Sequence, residues 1–299
     1  VSKKIILFTL VLLLFGCSSK SSLEVKYIGT SRSNENLNIF SNFNGWDYIA
    51  KKLISDGIDS KLVKQVYLND KINPKFDIIP FKLRPKETSE MYKGFRTKKV
   101  KKIAQDCYLK YQNLFDQASV KFKVKPEVLV SFLTIETYCG KTFGDEYIIN
   151  RLSRVSSVLS PGNVEQNLKL IRNEFPGATI KDVKLRGEYL ENVFYPQVLS
   201  LFELHQNGQL DIFTLKGSIA GAFGMPQFLP KTYMDYGFDG DLDGNIDLFN
   251  PADAIYSVGN FLKSYGWNNE LSNKKKREII WHYNRSEPYI DTIVYLSNL

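Results

Sequence analysis

Val128-Leu-Val-Ser-Phe-Leu-Thr-Ile-Glu-Thr-Tyr-Cys-Gly140 is an almost wholly apolar run that delivers one carboxylate, Glu136, just before a glycine. Pro126 suits the first position of a helix, and Glu127 puts negative charge in the first turn, where the helix dipole favours it. Val128, Leu129, Val130, Phe132, Leu133 and Ile135 then cover nearly every face, the pattern of a helix buried inside a domain. Gly140 serves as its C-terminal stop. Two readings of Glu136 stand open. It either emerges at the surface where the helix ends, or it sits partly out of water, where desolvation lifts its pKa toward the value a general acid needs near neutrality.

Around this run, 299 residues with 43% hydrophobic content can bury a substantial core, as one large domain or two modest ones. Aromatics reach 13%, with 17 Tyr and 20 Phe, a supply that suits a groove stacking on sugar rings and equally a Lys- and Asn-rich composition. The formal charge of +8 is compatible with an anionic partner. The first residues narrow the choice. Val1-Ser-Lys-Lys is a short basic start, read as an alternative start codon followed by the positive region of an export signal. Ile5 to Phe15 is an apolar run of 11 residues, too short to span a bilayer, and Leu14-Phe-Gly-Cys17 follows. That ending looks like a bacterial lipobox, so the expectation is a signal peptide over 1–16, cleavage before Cys17 and lipidation of its thiol. Loss of Lys3 and Lys4 lowers the charge from +8 to +6. Nucleic acid is then not an expected partner, while acidic envelope polymers and phospholipid are. Ser18 after Cys17 leans toward a periplasm-facing lipoprotein of the outer membrane. Of three cysteines, Cys107 and Cys139 are left, either bridged or as two buried thiols.

Residues 17–41 read as a flexible tether, rich in Ser, Asn and charge. From Asn42 the pattern is helical: Trp46, Ile49, Ala50, Leu53 and Ile54 share a face that Gly57 ends, and a short helix follows Asp59. Residues 73–84, with Pro74 and Pro80, read as an irregular surface wrap. One long amphipathic helix is expected over Lys98–Phe122, a helix over Asn150–Val158, a break at Ser160-Pro-Gly-Asn163, a helix over Val164–Phe175, and one over Glu188–Asn207 interrupted at Pro196. His205, without a Ser or Cys nucleophile motif, reads as surface or capping, and His282 as packing. The fold class is mainly α with minor β. The chain is expected to divide into an N-terminal helical subdomain over 42–115 and a larger core over 116–299.

Three downstream segments carry chemistry. Leu215-Lys-Gly-Ser-Ile-Ala-Gly-Ala-Phe-Gly-Met-Pro-Gln-Phe-Leu-Pro230 removes side-chain bulk at Gly217, Ser218, Ala220, Gly221, Ala222 and Gly224. This opens the backbone either to a bulky ligand or to a tight helix-to-helix crossing. Gln227 adds an amide able to orient sugar hydroxyls. Asp239-Gly-Asp-Leu-Asp-Gly-Asn-Ile-Asp-Leu-Phe-Asn-Pro-Ala-Asp253 matches the opening of an EF-hand loop, with carboxylates at positions 1, 3 and 5 and Gly at 6. Its position 12 is Asn250 rather than a bidentate Glu, so Asp253 closes a longer loop. The candidate ligands are Asp239, Asp241, Asp243, Asn245 and Asp253, for a structural Ca2+; the alternative is a set of Asp turns bonded to backbone N–H groups. Ile279-Ile-Trp-His-Tyr-Asn-Arg-Ser-Glu-Pro-Tyr289 presents Tyr283, Asn284 and Tyr289, which can stack on and bond to sugars.

In this order, the segments resemble the membrane-bound lytic transglycosylase B family, enzymes that cut bacterial peptidoglycan. Ile-Glu-Thr-Tyr-Cys-Gly looks like the family's Glu-Thr/Ser-x-Trp/Phe-Gly catalytic segment. Gly-Ser-Ile-Ala-Gly-Ala-Phe-Gly-Met-Pro-Gln-Phe-Leu-Pro is similar to its Gly-Ser-x-Ala-Gly-Ala-x-Gly-x-x-Gln-Phe-x-Pro signature. The Asp-Gly-rich loop and Tyr-Asn-Arg-Ser-Glu-Pro-Tyr have counterparts too. The resemblance implies a lysozyme-like core with an added helical region, catalysis by Glu136, and substrate contacts from Ser218, Gln227, Tyr283, Asn284 and Tyr289. Cys139 departs from the usual aromatic, and the segment after Val158 lacks a Pro-Arg-Arg/Ser element.

The implied reaction is non-hydrolytic cleavage of the β-1,4 MurNAc–GlcNAc bond to 1,6-anhydro ends, with Glu136 acting as acid and then base. No cofactor is expected for catalysis, and the chain is expected to work as a monomer on glycan strands. Asp145 and Glu146 read as surface residues of a turn. The rivals are a hydrolytic muramidase on the same fold, which needs two carboxylates flanking the bond, and a non-catalytic peptidoglycan-binding lipoprotein.

Overall fold

The computed structural model describes residues 43–298, so the expected signal peptide and tether, with Cys17, lie outside the described residues. Among these residues the protein is built from thirteen α-helices and a two-stranded ribbon, the mainly helical class with minor β. None of these helices is long and apolar enough to cross a membrane. The described residues form two compact units, 43–77 and 78–298.

The first unit holds α1 (Asp47–Ser55) and α2 (Ser60–Tyr67). Asp59 caps α2 by accepting from the N–H groups of Lys61 and Leu62, satisfying two donors the helix leaves open. Trp46, 1% exposed, packs against Tyr67 and Phe76 and donates its indole N–H to Pro74 O.

The second unit is organised on α6 (Pro126–Thr137), whose apolar residues are buried on all sides, as an all-round hydrophobic helix requires. Its neighbours are α4 (Lys98–Lys110), α5 (Gln112–Phe122), α11 (Pro251–Ser264) and α13 (Glu287–Ser297). α4 and α5 replace the single helix expected over Lys98–Phe122: the chain turns at Tyr111, which ends one helix and begins the next. No Gly or Pro marks this break. Both halves pack against α6, and the 115/116 boundary read from the sequence falls inside α5.

α7 (Ile148–Val155) and α10 (Pro230–Tyr236) lie on α9 (Ile180–Gln206), and α8 (Pro161–Glu174) packs on it too. α9 is longer than expected and runs through Pro196 without interruption. It starts eight residues before Glu188, at a Thr179/Asp182 capping box in which Asp182 Oδ2 accepts from Thr179 N at 2.8 Å. α8 likewise begins at Pro161, since proline's fixed φ suits the first helical turn; the expected break is its start. The irregular segment after Ile78 is held by two amides: Asn163 Oδ1 accepts from Ile79 N at 2.7 Å and Asn167 Oδ1 from Phe81 N at 3.0 Å. The ribbon pairs β1 (Glu146–Tyr147) with β2 (Lys216–Gly217), antiparallel. His205 takes part in a local turn, accepting from Ile212 N, and His282 stacks on Tyr265 at 4.3 Å.

Candidate active site

α6 ends at Thr137, three residues before the glycine expected to stop it, because Tyr138, Cys139 and Gly140 all take left-handed backbone conformations, with φ of 49°, 63° and 77°. Two non-glycine residues in that region need external support. Cys139 is tied to Cys107 of α4 by a disulfide, with Cα atoms 6.0 Å apart. Tyr138 stacks on Phe95, ring centroids 5.3 Å apart. The Thr137 hydroxyl accepts from Gly140 N and donates to Met225 O at 3.0 Å. The disulfide settles the open question of the two cysteines.

Thr137 thus clamps the end of α6 to the glycine-rich loop. In that loop the glycines serve close packing rather than open space, while Ser218 and Ala220 stay part exposed. A Cβ on Gly217 would collide with Ala222 O, one on Gly221 with the Leu152 side chain, and one on Gly224 with Leu248. Phe223 and Phe228 pair across the turn, and Gln227 sits at its tip with φ of 50°. Gln227 Nε2 donates to Gly224 O at 2.9 Å and Phe143 O at 3.3 Å; Ser218 Oγ exchanges bonds with Ala222. The Tyr283 hydroxyl, at the end of α12 (Asn273–Tyr283), donates to Pro226 O and fastens the C-terminal motif to the same turn.

Glu136 stands on the last turn of α6, part exposed although protein atoms crowd it closely. Tyr289 of α13 donates its hydroxyl to Glu136 Oε1 at 2.7 Å. The carboxyl is pushed up to about 8: burial raises it most, the Tyr289 bond favours the charged form and lowers it, and the charge of Glu87 raises it again. At neutral pH this is a protonated acid with an outlet to solvent. Tyr283 and Tyr289 are both held well above the ordinary phenol value, by burial first and then by Glu136, so they act as hydrogen-bond donors.

The structure brings Tyr289 to Glu136, and Tyr283 and Gln227 to one turn. Tyr289 is not a stacking platform: it is fully buried among Phe132, Tyr283 and Tyr92. Asn284 is 1% exposed, and both its amide atoms lack a protein partner. Reading the sequence did not find Glu87 or Tyr92, which bond to each other beside this site. Only the spacing of an acid and a tyrosine near α3 (Ser89–Tyr92) hints at them. Asp145 is exposed and ion-paired with Lys216 at 2.7 Å.

The acidic loop brings together Asp239, Asp241 and Asp253, whose nearest oxygens lie within 4.8 Å of one another; Asp243 lies outside this cluster and accepts from Asn245 N instead. Asp253 accepts from the N–H groups of Gly240 and Asp247. Burial pushes the Asp253 carboxyl up most, and the charges of Asp241 and Asp239 add to it. Three oxygen donors with unbalanced negative charge fit a hard cation.

Glu136 at the end of a buried helix, framed by helices and a glycine-rich turn, is the candidate acid of a lysozyme-like fold. The chain belongs to the transglycosylase SLT domain family, whose match covers residues 43–276. It is 31% identical over 157 residues to membrane-bound lytic murein transglycosylase B of Escherichia coli K12; the match takes in 52% of this chain but only 36% of that protein. The fold is also similar to the Escherichia coli lytic transglycosylase SLT35 in complex with calcium, with a TM-score of 0.61, 21% identity, and 87% of this chain and 93% of that one covered. A third likeness is to SltB3 of Pseudomonas aeruginosa in complex with NAG-anhNAM-pentapeptide: TM-score 0.63, 17% identity, 86% of this chain and 79% of that one.

Proposed function

We propose that the protein is a peptidoglycan lytic transglycosylase that cleaves the β-1,4 MurNAc–GlcNAc bond without water and leaves 1,6-anhydro-MurNAc ends. The observation that carries this is Glu136 held protonated near neutrality, part open to solvent and bonded to Tyr289. Glu136 gives its proton to the glycosidic oxygen as the bond to the MurNAc anomeric carbon breaks, and the electron pair leaves with that oxygen. The resulting carboxylate takes the proton of the MurNAc 6-hydroxyl while its oxygen closes on the anomeric carbon. One group serves both steps, as a pKa near the working pH allows. Ser218, Gln227 and Tyr283, each part exposed, contact the glycan, Tyr289 acts on it through Glu136, and Asn284, 1% exposed, lies beneath this surface rather than on it. The NAG-anhNAM ligand of the SltB3 structure is a product of this kind.

A hydrolytic muramidase needs a second carboxylate that activates water. Glu87 is a poor base for that, being 8% exposed and capped by the Tyr92 hydroxyl. Mass spectrometry of cell-wall digests tests the reading: wild type releases anhydro-muropeptides and Glu136→Gln releases none. Equal release by the variant, or products one water heavier, would sink it.

The Asp239, Asp241 and Asp253 cluster takes Ca2+ in a structural role, and the chain is anchored through a lipid on Cys17 in the outer membrane, facing the periplasm. Fractionation of cells carrying wild type and Cys17→Ala tests the anchor.

A further inference from the structure

The reaction above uses one carboxylate, yet a second lies buried beside it. Glu87 is 8% exposed, and its Oε2 accepts from the Tyr92 hydroxyl at 2.6 Å. Tyr92, 3% exposed, presents its ring edge-on to Tyr289, with centroids 6.2 Å apart and planes at 85°. Tyr289 in turn donates to Glu136. A chain of contacts therefore runs from the segment before α3 through two tyrosines to the end of α6. Burying a carboxylate costs free energy that an apolar side chain of the same size avoids. A carboxylate placed here, in contact with the Tyr92–Tyr289 pair, points to a task.

We propose that Glu87 is a positioning residue for Glu136: it anchors Tyr92, which fixes the Tyr289 ring that orients the acid, and it sets a like charge against that acid. The proposal rests on the reading of Glu136 as the catalytic acid. The groups that act on Glu136 are few. Tyr289 comes from α13 and Glu87 from the segment before α3; Tyr92 and Tyr283 feel its charge. Among the described residues no lysine or arginine of α4, α5 or α11, which also pack on α6, enters the balance. Tyr289 favours the charged acid and Glu87 the neutral one. Both are held by the same ring contact, so the two opposing influences are set together.

Two variants separate the parts. Glu87→Gln keeps the shape and an oxygen for the Tyr92 hydroxyl but removes the charge. Tyr92→Phe keeps the ring and the charge but cuts the anchor. Circular dichroism confirms that each is folded. Infrared difference titration then follows the Glu136 carboxyl, identified by the band lost in Glu136→Gln, and needs no substrate. Glu87→Gln is expected to lower its titration by roughly one pH unit and to move the alkaline limb of turnover down with it. Tyr92→Phe is expected to cut kcat roughly tenfold, with KM nearly unchanged, because a loosened acid is misaligned rather than lost. An unshifted titration in Glu87→Gln, with or without loss of activity, would overturn the proposal by reducing Glu87 to a structural residue. Unchanged kcat in Tyr92→Phe would overturn the anchoring role. If the function itself is misread, wild type will release hydrated products while the infrared shift still appears.

Discussion

The Tyr289 hydroxyl meets the Glu136 carboxyl at 2.7 Å across 153 residues of sequence, and it is the one influence on Glu136 that favours the charged form. Replacing Tyr289 by Phe keeps the ring packed against Phe132, Tyr92 and Tyr283. It leaves burial and Glu87 unopposed, so the Glu136 pKa rises above about 8. The alkaline limb of the pH–rate profile moves up while the maximal rate falls, since the proton is given up less readily. Stability drops by about 1 kcal/mol for the lost bond. A profile whose alkaline limb moves down would show that the bond does not favour the charged acid.

The same carboxyl links stability to pH. Its folded pKa of about 8 lies above the ordinary value of 4.5, so the folded protein holds a proton that the unfolded chain has released between those values. Its contribution is most favourable below pH 4.5 and declines as pH rises to about 8, then stays flat. The decline amounts to a few kcal/mol as an order of magnitude. Glu136→Gln, neutral at every pH, should lose this slope and be more stable than wild type at pH 9. Urea unfolding at pH 5 and pH 9 checks it: equal differences between the two proteins at both values would contradict the raised pKa.

The buried helix was legible in the sequence because it rests on local pattern, whereas that pattern left Glu136 open between a surface position and a desolvated one, and its role came from the resemblance. Six apolar residues that cover nearly every face of one short run mark a buried helix, and one carboxylate stands at its end. The frame around the acid was not legible, because it is made by contacts distant in sequence. Nothing near Glu87 announces that it faces Glu136, and nothing near Tyr111 announces a helix break. Thr179 and Asp182 do carry a local signal, the capping box, and explain why α9 starts early. The glycine-rich loop was legible as important but ambiguous in purpose. Only Ala222, Leu152 and Leu248, each packed where a Cβ would stand, assign its glycines to close packing.

Calcium is expected to act at a distance from this chemistry. Asp239, Asp241 and Asp253 repel one another, and a bound cation would remove that repulsion and stabilise the folded state by mass action. Melting in millimolar Ca2+ should therefore exceed melting in chelator. Asp241→Asn, which keeps an oxygen for the Asn250 amide, should shrink the difference without moving the pH–rate profile. An equal melting temperature with and without the metal would dismiss the ion and leave the loop to its internal backbone bonds, such as Asp239 to Leu242 N and Gly244 N.

The Cys107–Cys139 disulfide closes a chain segment that contains the whole of α5 and α6, with a sequence separation of 32. A crosslink of that span restricts the unfolded chain and is worth roughly 3 kcal/mol. Reduction, or the double change Cys107→Ser and Cys139→Ser, should lower the melting temperature by something on the order of 10 °C. The turnover rate well below melting should survive, because Thr137 holds the end of α6 independently. Its hydroxyl bonds to Met225 O and Gly140 N, one residue beyond the acid. Melting curves and rates at 25 °C, with and without reductant, separate the two contributions. The serine variant should be indifferent to reductant. If reduction abolishes turnover while the protein stays folded, the disulfide and not Thr137 holds Glu136 in place.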